Sequence, residues 1–261
     1  MIPSPPEQPG ERTGSTDAKD IWGGLAERTG LPRRTAEEFW REIEIRYGGP
    51  GRHYHTMDHI RRMLTDWRRL RDVFDRRDEV AMAVFYHDIV YEVRGKANEE
   101  MSARLARERM ASCRRGTVDS GRVAAMVLAT ADHLPTGDAD TDLFLDMDLA
   151  ILAAESAEYS RYTESIREEH SEMSDDAYRS GRSLFLESFL ARPFIYASPT
   201  GRREWEKRAR RNLHAELERL SNEDRPFESR RRTESASSGT GTQAEARQGI
   251  QTGICVENRI P

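Results

Sequence analysis

The stretch Ala-Met-Ala-Val-Phe-Tyr-His-Asp-Ile-Val-Tyr, residues 81 to 91, limits the folds open to this chain more than any other. Apolar side chains at Ala81, Ala83, Val84, Phe85, Ile89 and Val90 predict a helix buried against other protein. Yet His87 and Asp88 stand side by side in its middle. A carboxylate in such company is costly unless it is paired or coordinates a metal. An imidazole beside it is a ready metal ligand. Whatever fold forms must bring partners to this pair.

Candidate partners lie on both sides. His55 and His59 are four residues apart, a spacing that predicts one helix face with about 6 Å between them along the axis. Met63, Trp67 and Leu70 continue that face. Downstream, Asp146 and Asp148 punctuate the apolar run 142–152, with Asp142 suited to a helix cap. Each piece alone has a plain reading, since buried histidines are commonly hydrogen-bonded core residues. Together, a His, a His-Asp and an Asp in apolar helices supply a mixed imidazole and carboxylate set with positions left for water. Such a set suits Mn, Fe, Co, Ni or Mg, with Zn also open. Neither Cys113 nor Cys255 falls near it, so no thiolate site is expected.

His59, His87-Asp88 and Asp148 resemble the H…HD…D signature of the HD-domain superfamily of metal-dependent phosphohydrolases. Asp146 is the rival for the last position. The run Tyr54-His55-Thr56-Met57-Asp58-His59 also resembles an element of cyclic-nucleotide phosphodiesterases, with Thr56 where that element has Asn. A nearer likeness is to small bacterial HD proteins described as predicted phosphohydrolases, through residues 52–60, 87–91, 98–103 and 146–152. Tyr178, Gly181-Arg182, Phe189-Leu190, Arg192 and Asn212-Leu213 extend it, so that it spans roughly 18 to 220.

The resemblance implies an all-α fold, a single HD-type helical bundle, and a divalent metal held by His59, His87, Asp88 and Asp148. It implies hydrolysis of a phosphoester, of a nucleotide or other small phosphorylated metabolite. His55 would act as general acid and Glu99, ahead of Glu100, would orient water. Arg52 and Arg182 are candidates for the substrate phosphate, because guanidinium forks match phosphate oxygens. His133 is a candidate outer ligand or a helix-end partner, His53 a supporting residue, and His170 and His214 surface residues. The competing reading is a degenerate HD module that binds a nucleotide or metal without turnover.

Helical patterns fill the middle of the chain. They run from near Asp17, then from Pro32 and a Thr35-Ala-Glu-Glu38 capping box, through about 98–112, 119–130, 158–170, 175–190 and 201–220. No alternating run predicts a strand. Residues 1–17 and 221–261, rich in Pro, Gly, Ser and charge, are expected to be disordered tails around a domain at 18–220. The first residues lack the regions of a signal peptide, and no apolar run matches a membrane span. With two cysteines no structural disulfide is expected, which suits the cytoplasm. Arginines at 61–77 and 202–211 are interleaved with acids, and the formal net charge is −5. That balance argues against a nucleic-acid platform. Oligomeric state is left open.

Overall fold

Helix α4 (Arg77–Tyr86) organises the N-terminal part of the chain, because every residue from Glu79 to Tyr86 is buried. A helix apolar all round must be surrounded. Its neighbours are α1 (Ala18–Thr29), α3 (Met57–Arg69), α5 (Asn98–Met110), α6 (Ser120–Ala129) and α7 (Ala139–Asp148). Helix α2 (Arg33–Tyr47) packs on α1. The computed structural model describes residues 17–223 apart from 94, 114 and 116, and among them every regular element is helical. The expectation of tails falls mostly on residues 1–16 and 224–261, outside the described residues.

Aromatic rings fill the space between α1, α2 and α4. Trp22 and Trp40 meet Phe85 edge-to-face at 5.2 and 6.3 Å between centroids, an arrangement that adds about 0.5–1.5 kcal/mol beyond area burial. The Trp22 indole donates to the carbonyl of Ala36 at 2.9 Å, tying α1 to α2. Helix α1 starts at Asp17, whose carboxylate accepts from the Lys19 amide, and stops at Gly30 with φ 72°. A side chain there would be strained by that backbone and would meet Arg115 Cγ at 2.5 Å. Helix α2 starts at the expected Pro32, ahead of the Thr35 box. Its first residue is Arg33, with Pro32 presetting φ at −57°, and Glu37 and Glu38 pair with Arg33 and Arg34.

Contacts cluster the chain into two compact units, one ending at Asp148 and the other beginning at Leu149. The second unit holds a 3-10 turn (Leu149–Ala153), α8 (Ser156–Glu169), α9 (Asp175–Leu190), α10 (Pro199–Glu204) and α11 (Glu206–Glu223). The single helix expected over 201–220 is broken at Trp205. Ser198 caps a separate short helix that Pro199 opens.

Arg182 sits at the centre of this unit with none of its surface exposed. Its Nε and Nη2 donate to the two oxygens of Glu216 at 2.8 and 3.1 Å, and Nη1 donates to the Tyr162 hydroxyl at 3.2 Å. Tyr159 donates to the same carboxylate. The guanidinium is spent on joining α9, α11 and α8, which overturns its expected role at a substrate phosphate. His170 is also not a surface residue. It is 3% exposed, with Nδ1 on the carbonyl of Ile166 at 2.9 Å, because its position at the end of α8 turns the ring inward toward Tyr178. His214 is exposed as expected.

Candidate metal centre

The helix carrying the His-Asp pair ends before it. Helix α4 stops at Tyr86, His87 is its C-cap, and Asp88 lies in the following turn. A helix that ends inside a protein exposes carbonyls that need donors. Here Tyr47 donates its hydroxyl to Phe85 O at 3.1 Å. Arg52 donates to Asp88 O at 2.8 Å and Ile89 O at 3.2 Å. The remaining donor is His87 itself, whose Nδ1 lies 3.0 Å from Val84 O. A proton on Nδ1 leaves the Nε2 lone pair facing away from the helix.

That nitrogen faces a cluster. His59 Nε2 is 3.0 Å from His87 Nε2, and Asp148 Oδ1 is 3.0 Å from His59 Nε2 and 3.6 Å from His87 Nε2. Asp88 Oδ2 is 3.0 Å from His87 Nε2 and 3.9 Å from His59 Nε2. His133 Nε2 holds the other oxygen of Asp148 at 2.9 Å. His133 has φ 49°, a left-handed backbone that costs a non-glycine residue about 1–2 kcal/mol. Such strain persists where surrounding contacts fix it.

The spacing suits one ion. Donors about 2.1 Å from a common metal stand about 3.0 Å apart at right angles and about 3.4 Å apart at tetrahedral angles. His59, His87 and Asp148 could therefore hold a metal, their ligand atoms all lying within 4.8 Å of one another. Asp88, the fourth residue expected there, is not among these three, but its Oδ2 lies beside both histidines. His59 Nδ1 is enclosed with no hydrogen-bond partner, so only its Nε2 is engaged with the cluster.

Charge points the same way. Burial opposes ionisation of Asp148, but the charge of His87 and hydrogen bonds from His133, His59 and His87 hold its carboxyl well below the usual range. Burial likewise opposes ionisation of Asp88, and His87, with a smaller contribution from His55, outweighs it. His87 is pushed down by burial but carried well above the ordinary imidazole value by Asp88 and Asp148. For His59 burial dominates and the value falls. Two carboxylates converging on buried imidazoles are a pull on any cation that fits.

The other residues singled out in the sequence fall differently. His55 precedes α3 instead of sharing its face with His59, because Thr56 caps the helix by accepting from the Asp58 amide. His55 is 6% exposed and stacks on Tyr91 at 4.4 Å, with its centroid 6.0 Å from that of His59. Glu99 and Glu100 stand in the first turn of α5, Glu99 half-buried and Glu100 exposed, and neither belongs to the converging group. Asp146 is buried and also outside that group. Arg52 is half-buried and donates to backbone carbonyls, and it also lines a cavity of about 440 Å³ with His53 and Arg61. His53 is exposed.

The supporting roles of three residues, Tyr47, Asn98 and Ser102, were missed in the sequence. Tyr47 satisfies the end of α4, and nothing local to Tyr47 marks it for that task. Asn98 and Ser102 hold the loop after Asp88: Asn98 exchanges bonds with the Glu92 backbone at 2.9 and 3.2 Å, and Ser102 with that of Val90 at 3.0 and 3.3 Å. Their spacing in Asn98-Glu-Glu-Met-Ser102 was the available signal. No family model, curated protein or solved structure matches the chain.

Proposed function

We propose that this chain is a metal-dependent phosphohydrolase of the HD type, cleaving a phosphoester of a nucleotide or other small phosphorylated metabolite in the cytoplasm. The observation that carries the reading is the convergence of His59, His87 and Asp148, with Asp88 Oδ2 3.0 and 3.9 Å from the two histidines, inside a helical core. A divalent ion, of Mn, Fe, Co, Ni, Mg or Zn, would supply Lewis acidity toward water and a phosphoryl oxygen. With an ion bound, the two imidazoles would present neutral nitrogens and the two carboxylates would supply negative charge. His133 keeps one oxygen of Asp148 turned away from the histidine pair. His55, fixed against Tyr91 beside this cluster, holds a proton for the departing alkoxide. Glu99 is assigned to orienting water, on its place at the start of α5.

Metal analysis of the purified chain should find a divalent ion. A phosphate-release screen over nucleotides and small phosphoesters, with each ion in turn, should find turnover. His55→Ala should keep the ion and slow cleavage of an alkyl phosphate by roughly 10²–10⁴-fold. An aryl phosphate, whose leaving group hardly needs a proton, should lose much less. Equal losses would remove the general-acid role. Release from no substrate by the metal-loaded protein would favour a binding module without turnover.

A further inference from the structure

The guanidinium of Arg52 lies between two tyrosine rings, its Cζ 4.9 Å from the centroid of Tyr47 and 5.0 Å from that of Tyr91. Nη1 donates to His55 O at 2.8 Å, and Nη2 donates to Asp88 O at 2.8 Å and Ile89 O at 3.2 Å. These carbonyls belong to segments about 35 residues apart: the turn ahead of α3, and the turn that ends α4. One planar cation thus joins the peptide bearing His55 to the peptide bearing Asp88. It does so at the C-terminal end of α4, where the helix dipole favours positive charge. Both walls are themselves engaged with the cluster's supports, Tyr47 through Phe85 O and Tyr91 through the face of His55.

We propose that Arg52 is a positioning residue that sets the distance between His55 and Asp88, and does not contact the substrate phosphate. Lysine cannot replace it, because an ammonium has no plane to fill the slot between the rings and no fork to span two turns. The proposal uses the metal-centre reading for its first readout.

Titrating the full chain with Co(II), followed by its visible absorption, tests it. Arg52→Lys and Arg52→Gln should bind Co(II) about 10–100-fold more weakly than wild type, the cost typical of losing the support of a ligand. The band should also shift and kcat should fall, with KM for a small phosphoester little changed. In Arg52→Ala, millimolar guanidinium should restore affinity, and ammonium at equal ionic strength should not. Wild-type Co(II) affinity in Arg52→Lys, with KM alone raised, would make Arg52 a phosphate contact and overturn the proposal. If wild type itself takes up no Co(II), the functional reading fails first. Amide exchange then decides this one: Arg52→Lys should speed exchange both around residue 55 and at 88–89, and unchanged exchange at both would sink it.

Discussion

Asp148 closes the cluster from the last residue of α7, with one oxygen toward His59 and His87 and the other on His133. Two residues earlier, Asp146 is turned about 200° around the same helix, so both side chains cannot comfortably reach one ion. Asp146 is nevertheless 1% exposed, so it too is held in the interior. These facts separate the two by experiment. Asp148→Asn should abolish stoichiometric metal, measured by elemental analysis, while Asp146→Asn should keep it and lower the melting temperature. The opposite ranking would mean that Asp146 is the ligand. At this scale the sequence was informative about residue types and poor about choice. His59, His87, Asp88 and Asp148 stood out as polar groups in apolar company, but Asp146 stood out equally. Only the register of α7 against α3 and α4 tells them apart.

The ends of helices were the least legible feature, and the reason is physical. Apolar periodicity continues through Tyr86 into Ile89 and Val90, so nothing local marks the stop of α4. The stop is made by Tyr47 and Arg52, which supply donors from far along the chain. The start of α3 was legible in principle, since Thr56 is a good cap, but the His55–His59 spacing suggested a longer helix. Between elements, Glu42 of α2 accepts from Arg109 of α5 at 2.8 Å and pairs with Arg46 at 3.1 Å. Burial raises the Glu42 carboxyl, but the bond and charge of Arg109, then Arg46, lower it by more. A carboxyl depressed in the folded state adds stability that is fully present above its unfolded value and fades as pH falls through its folded value. Wild type should therefore melt higher than Glu42→Gln above the ordinary glutamate value of 4.5, and the gap should close as pH falls below it. A gap independent of pH would mean that Glu42 acts through packing rather than charge.

For the whole molecule, the all-α class followed from helical spacing throughout and from the lack of alternation, and the structure has that class. The division at Asp148 and Leu149 left no mark in composition. The border runs through Leu-Asp-Met-Asp-Leu-Ala, with no glycine, proline or serine, because the chain passes there directly from α7 into the 3-10 turn. Arg182 was misread because spacing says little about a side chain whose surroundings are unknown. A lone arginine suits a phosphate, whereas here it is enclosed with Glu216, Tyr159 and Tyr162. The two readings predict different failures. Removing one partner of a buried ion pair leaves the other uncompensated, at about 3–5 kcal/mol. Arg182→Met should lose that much in urea unfolding, because the Glu216 carboxylate stays buried. At a temperature where the variant is folded, it should retain wild-type metal content and the wild-type KM for a phosphoester. A variant of near-wild-type stability with KM raised tenfold would return Arg182 to the substrate. The burial of Arg182 makes the first outcome the expected one, since a phosphate could reach the guanidinium only by displacing Glu216 from a bidentate pair inside the core.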